Sequence, residues 1–142
     1  MARHDSEEVA MFEQAGAVPY RRTRRGVEFC LITSTEGRWI FPKGNVSHGS
    51  TLRKTAIAEA LEEAGLRGRI LGPPLGSYEM VKYEKTYTLV LFLMEVTGCE
   101  DVWEEASLRR RRWATREKAQ RLLCHPLDNC LNTAVAMIED IS

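Results

Sequence analysis

Three glutamates, Glu59, Glu62 and Glu63, stand at i, i+3 and i+4 within the stretch GNVSHGSTLRKTAIAEALEEAGL, which runs from Gly44 to Leu66. On a helix that spacing gathers the carboxylates into one patch. Like charges so placed cost an isolated helix roughly 0.2–0.5 kcal/mol per pair, so the patch asks for a compensating partner. Two readings supply one. In the first, the patch is a solvated acidic face, offset by Arg53, Lys54 and Arg67 nearby. In the second, the carboxylates are hard oxygen ligands for a divalent cation. Magnesium or manganese suits them, since these ions take few protein groups and keep positions open for phosphate oxygens and water.

The elements that must position these side chains are legible on either side of them. Ser50 or Thr51 caps a helix from about Thr51 to Ala64, and Gly65 provides the left-handed stop. Ile57, Leu61 and Ala64 recur at helical spacing and are expected to form its buried stripe. The loop Pro42-Lys43-Gly44 precedes the helix, after the brief apolar run Arg38 to Phe41.

This stretch resembles the Nudix box, whose pattern is G-x5-E-x7-R-E-U-x-E-E-x-G-U with U a bulky apolar residue. Gly44 takes the first glycine, Glu59 the helix glutamate, Glu62 and Glu63 the paired glutamates, Gly65 the last glycine and Leu66 the closing apolar position. Ala60 is a small occupant of the first U position. Two positions depart: Ser50 stands where the pattern has glutamate, and Ala58 where it has arginine. The resemblance implies an α/β/α sandwich and a metal-dependent hydrolase. The departures leave a second alternative, a catalytically weakened Nudix-fold protein that binds nucleotides or polyphosphates.

The order of elements agrees with such a fold. Two strands, Ala15 to Tyr20 and Val27 to Thr33, flank a basic turn and form a hairpin. After the helix, Arg67 to Leu71 leads to a turn at Gly72-Pro73-Pro74. The strands Ser77 to Lys82 and Thr86 to Val96 follow, joined at Tyr83-Glu84-Lys85. The acidic loop Gly98 to Ser107 then precedes a basic strand, Arg109 to Trp113. Thr115 caps a helix to about Leu123, and Leu127 to about Ile138 forms the last one. Strands, helix, strands and helices make an α/β chain (α+β mixed sheet) with the sheet between helical layers. Residues 1–12 read as a flexible lead-in and 13–142 as one domain.

Composition excludes little but narrows the setting. With 44% apolar and 28% charged residues and zero formal net charge, no bulk field draws the chain to nucleic acid or membrane. The longest apolar run, Leu89 to Met94, is too short to span a bilayer. The four cysteines show neither a CxxC pair nor zinc spacing, which fits a reduced, cytoplasmic protein, with Cys30 as a core residue.

Two basic clusters remain. Arg21, Arg22, Arg24 and Arg25 mark an exposed hairpin tip. In the run Arg109 to Arg112, strand alternation points Arg109 and Arg111 one way and Arg110 and Arg112 the other. One pair can face a polyanion while the other is solvated or bridges to Glu104 and Glu105. The chain is also similar to the diphosphoinositol polyphosphate phosphohydrolase branch of the family, through AEALEEAGLRG, Lys85-Thr86-Tyr87, Trp103-Glu104, the basic strand ending at Trp113, and His125-Pro126. Its Pro-Lys-Gly loop is shared with dinucleoside polyphosphate hydrolases and mRNA-decapping enzymes.

By resemblance, then, Lys43, Lys85, Arg109 or Arg111, and His125 contact phosphate. Glu59, Glu63 and the Gly44 carbonyl hold the metal, Mg2+ or Mn2+. Glu62 is the base, with Glu59 the other candidate. The implied substrate is a polyphosphorylated small molecule, either a diphosphoinositol polyphosphate or a dinucleoside polyphosphate. An mRNA-decapping-like pyrophosphohydrolase is a further alternative.

Overall fold

The computed structural model describes residues 13–141; the lead-in expected at 1–12 lies outside the described residues. The strands are β1 (Glu13–Thr23), β2 (Gly26–Thr33), β3 (Trp39–Ile40), β4 (Lys43–Asn45), β5 (Leu66–Lys82), β6 (Lys85–Cys99) and β7 (Arg111–Thr115). The helices are α1 (Leu52–Ala64), α2 (Arg116–Leu122) and α3 (Leu127–Ile141). Together the strands form one mixed sheet in the order β3-β2-β1-β6-β5, with β4 added to β1 and β7 to β2. β1 and β6 are parallel; the other pairs are antiparallel.

Strand alternation divides the core in two. In β6, Leu89, Leu91 and Leu93 face one side with Phe29, Leu31 and the helices α2 and α3. Val90, Phe92 and Met94 face the other side, with Cys30, Ile32 and α1. A sheet apolar on both faces must be covered on both, and the result is an α/β/α sandwich.

α1 is capped by Thr51, whose side chain accepts the Lys54 N–H at 3.1 Å, and it ends at left-handed Gly65. Its buried face differs from the expected one. Ala56, Ala60 and Ala64 are buried with Thr55 and Glu63, whereas Ile57 is 41% exposed and Leu61 only half-buried. The helix lies too close to the sheet for branched side chains, and an alanine stripe turned by about one position replaces the Ile57–Leu61 line. That rotation is what carries Glu63 inward.

Two other expectations change. The Gly72-Pro73-Pro74 segment is not a turn between strands but an irregularity within β5, which pairs with β6 on both sides of it. Gly72 takes a left-handed φ of 72° there. Second, Arg109 and Arg110 precede β7 and belong to the loop that follows β6.

The β5–β6 hairpin turns through only Tyr83 and Glu84, since Lys82 pairs with Lys85. Both turn residues have positive φ, 52° and 65°. Tight hairpin turns of this kind require this sign; Asn tolerates it better than most residues and Gly has no Cβ to strain. Replacing Tyr83-Glu84 by Asn-Gly is therefore expected to stabilise the domain by about 1 kcal/mol. Urea unfolding checks it: the midpoint should rise with unchanged slope.

Candidate active site

β1 is wide enough in register to pair with β4 along Gln14 to Gly16 and with β2 from Tyr20 onward. The chain between those partners, Phe41-Pro42, passes directly over β1, where the Ala17 N–H donates to the Pro42 carbonyl at 3.0 Å. Two glycines permit this approach. A Cβ on Gly16 would overlap the Pro42 carbonyl oxygen, and one on Gly44 would occupy the place of the Glu59 carboxyl group. The Lys43-Gly44 backbone thus lies against the acidic face of α1.

Glu63 is the most enclosed of the three glutamates, 8% exposed. Its Oε1 accepts the Lys43 N–H at 3.0 Å and its Oε2 accepts from Arg109 Nη2 at 3.1 Å. Burial pushes the Glu63 carboxyl up, opposed by the Lys43 N–H and the Arg109 charge. Glu59 is pushed up to about 7, first by burial, then by the charges of Glu63 and Glu62, a hydrogen bond with Glu62 and the Glu105 charge. Burial also draws the Lys43 ammonium down against the pull of Glu63.

The raised Glu59 has a measurable consequence. A carboxyl whose folded pKa exceeds its unfolded value adds stability below the ordinary range of 4.5 and loses it as pH climbs through about 7. Metal-free protein should therefore melt lower as pH rises from about 5 to about 8, and Glu59→Gln should flatten that slope. Thermal scans in chelator across this range decide it.

The donor set fits a hard divalent cation. It contains carboxylate oxygens beside a backbone segment and no thiolate or imidazole, and the repulsion among carboxylates that adds to burial at Glu59 is what a cation relieves. Among the described residues no three His, Cys, Asp or Glu side chains close on one ion. Glu59 and Glu63 with neighbouring backbone would hold the ion from one side only, as magnesium sites at phosphates commonly do.

A cleft of about 250 Å³ is lined by Gln14, Glu36, Arg38, Lys43, Lys82 and Tyr87, with Ile40, Met80 and Val81 as its apolar wall. Lys43 joins the two features: its N–H donates to Glu63, and the residue lines the cleft. A separate cavity of about 260 Å³, lined by Phe29, Val135 and Ile138 among others, lies on the α3 side of the sheet.

A NUDIX domain description matches residues 12–132, most of the chain. The chain belongs to the Nudix hydrolase family. This Nudix domain is 30% identical over 131 residues to Nudix hydrolase 16, mitochondrial, of Arabidopsis thaliana, covering 79% of this chain and 72% of that protein. It is 34% identical over 119 residues to diphosphoinositol polyphosphate phosphohydrolase 3-alpha of Mus musculus, covering 80% of this chain and 71% of that protein. Among solved structures, the binary complex of the C. elegans Ap4A hydrolase superposes with a TM-score of 0.81 at 22% identity, over 91% of this chain and 98% of that one. That likeness speaks to the fold.

The expected site residues are not all brought together in this Nudix domain. Glu59, Glu62, Glu63, Gly44 and Lys43 converge. Lys85 sits at the β5–β6 tip opposite Lys82, and it is Lys82 that lines the cleft. Arg111 turns to the end of α1, donating to the carbonyls of Ala64 (2.8 Å) and Glu100 (2.9 Å) and stacking on Trp103. His125 stands between α2 and α3, on the opposite face from α1, 3.4 Å from Asp128. Of the two positions that depart from the box, Ala58 is exposed, and the Ser50 hydroxyl lies 3.4 Å from that of Thr55 at the start of α1.

Arg38, Lys82 and Gln14 were not expected at the site; they come from a loop and two strands far apart in the chain. The expected bridge from the basic run to the acidic loop is made by Arg109, which pairs with Glu105 at 2.8 Å. No helix is long and apolar enough to cross a membrane among the described residues.

Proposed function

We propose that this Nudix domain hydrolyses a phosphoanhydride bond in a polyphosphorylated small molecule, a diphosphoinositol polyphosphate or a dinucleoside polyphosphate, with Mg2+ or Mn2+. The observation that carries this reading is the junction at Lys43 between the buried Glu63 carboxylate and a cleft whose lining includes Arg38 and Lys82 beside Glu36 and apolar side chains. Relatives named for diphosphoinositol polyphosphate hydrolysis support the substrate class.

Glu59 and Glu63, with the Gly44 carbonyl, would hold the ion. A bound divalent cation neutralises charge developing on phosphate oxygens and makes water more acidic. Glu62 accepts the proton of the attacking water on its carboxylate, with Glu59 as the other candidate. Lys43, Lys82 and Arg38 supply positive charge along the phosphate chain, where charge-assisted contacts accumulate with each added phosphoryl group.

Phosphate release with Mg2+ from a panel of inositol pyrophosphates, diadenosine polyphosphates and capped RNA tests the reading. Turnover of the small polyphosphates ahead of capped RNA is expected. Metal and ligand binding without release from any of them would instead support a binding protein, and release from capped RNA alone the decapping alternative. Lys43→Ala should raise KM more for substrates with many phosphates than for those with two. Equal effects on both would remove Lys43 from the phosphate path.

A further inference from the structure

α1 concentrates three glutamates in its last two turns and carries no basic residue in its last turn. The helix's own cations are committed elsewhere or distant: Arg53, in the first turn, donates to the Gly72 carbonyl at 3.0 Å. Arg67, just past the helix, pairs with Glu100 at 2.9 Å. Yet Glu63 is held on both oxygens. Its positive partner comes from the loop between β6 and β7.

Arg109 is itself enclosed, with its side chain 13% exposed against 10% for Glu63. Three of its nitrogens are assigned. Nη2 donates to Glu63 Oε2 at 3.1 Å, Nε to Glu105 Oε1 at 2.8 Å and Nη1 to the Thr33 carbonyl at 2.8 Å. Thr33 in turn is fixed to the next residue, its hydroxyl accepting the Arg110 N–H at 2.9 Å and its N–H donating to the Arg110 carbonyl at 3.1 Å. A guanidinium bound at three corners is a rigid plane. It leaves Glu63 one orientation, with the Lys43 N–H on the other oxygen.

We propose that Arg109 is a positioning residue, reaching from the β6–β7 loop to set the carboxylate of Glu63 for the cation, with Glu105 and Thr33 orienting Arg109 in turn. Arg109 thereby acts on the metal through Glu63 rather than on substrate phosphate. This inference rests on the metal-dependent reading above.

The sign of one measurement separates positioning from simple charge. Arg109 is a cation beside a cation site, so by Coulomb's law alone its removal should tighten metal binding. If it positions Glu63, removal should loosen binding despite the favourable change in charge. Titration of substrate-free protein with Mn2+, followed by electron paramagnetic resonance, reads this without any turnover.

Arg109→Ala is expected to weaken Mn2+ binding by about 10–100-fold, the scale for groups that orient metal ligands. It should lower kcat with a KM that does not depend on the number of substrate phosphates. Arg109→Lys keeps the charge but cannot span three acceptors, and should give a folded protein with an intermediate loss. Arg112→Ala, in the same basic run but lying over Trp39, should bind Mn2+ as wild type does. Unchanged or tighter Mn2+ binding in Arg109→Ala overturns the proposal. So does wild-type affinity in Arg109→Lys if Arg109→Ala fails to fold. A KM that climbs with phosphate number, at wild-type Mn2+ affinity, makes Arg109 a substrate contact instead. Wild-type protein that takes up no Mn2+ overturns the metal-dependent reading itself, and this inference with it.

Discussion

Glu63→Gln is expected to lose metal binding and turnover together and to melt below wild type, whereas Glu62→Gln should lose turnover alone. The difference lies in what each carboxylate touches. Glu63 accepts two hydrogen bonds in an enclosed position, from the Lys43 N–H and from Arg109. A glutamine must turn its NH2 toward one of those donors and removes the charge that Arg109 faces. Hydrogen bonds to charged groups are worth about 1.5–3 kcal/mol each, so a fall in stability accompanies the chemical loss. Activity should drop beyond the roughly 100-fold ceiling typical of residues that merely support a ligand. Glu62 is half-buried and anchored through its backbone, its carbonyl accepting the Glu105 N–H at 3.1 Å. Its glutamine should keep Mn2+ affinity and melting temperature while kcat falls by about 10²–10⁴. Equal loss of metal affinity in both variants would make Glu62 a ligand rather than the base. Full activity in both would remove the carboxylate mechanism.

Gly44→Ala should be nearly as damaging to metal binding and almost harmless to the fold. An added methyl at Gly44 meets the end of the Glu59 side chain, which can swing aside. Glu59 then leaves its place, and Mn2+ affinity should fall about 10–100-fold. At Gly16 the same change meets the Pro42 carbonyl and the Lys43 Cα and Cβ, and none of these can yield without moving β4. Gly16→Ala should therefore cost about 1–3 kcal/mol of stability, as overpacking does. Parallel urea melts and Mn2+ titrations separate the two. A Gly44→Ala protein with wild-type affinity would show that Glu59 holds no metal.

The helix, its caps at Thr51 and Gly65, the hairpins and the acidic triplet were all legible in the sequence, because each is set by residues a few positions apart. Local pattern failed where distance in the chain mattered. The Ile57–Leu61 stripe obeys helical periodicity, but only the sheet decides how close the helix comes, and the approach selects Ala56, Ala60 and Ala64. The Gly72-Pro73-Pro74 segment carries every mark of a turn, yet β6 pairs across it. Among the basic residues, Arg109 and Arg111 do part from Arg110 and Arg112, which stack on Trp39, although the first two of the run lie ahead of the strand that was to alternate them. Nothing in the run Arg109-Arg110-Arg111-Arg112 says that the first faces Glu63 and the third closes a helix. Their partners lie 46 and 47 residues away.

Those separations bear on how the domain assembles. The carbonyls at the end of α1 are satisfied from the β6–β7 loop and the start of β7: Glu62 by the Glu105 N–H, Glu63 by Trp103 Nε1, Ala64 by Arg111, and Gly65 by the Glu100 N–H. Joining segments this far apart in the chain, 40 residues for Glu63 and Trp103, costs chain entropy that must be met before the contacts repay it. The β5–β6 ribbon shortens that search. It pairs Leu66, immediately after Gly65, with Cys99, immediately before Glu100. Once the ribbon has zipped from its Tyr83-Glu84 tip to its open end, the loop arrives beside the helix with few residues left to close. The hypothesis is that the carboxylate centre forms late in folding, at a rate governed by a turn at the far end of the ribbon. Stopped-flow refolding read by tryptophan fluorescence tests it: the Asn-Gly tip should quicken the main folding phase and leave unfolding nearly unchanged, and an effect confined to unfolding would place that turn after the rate-limiting step.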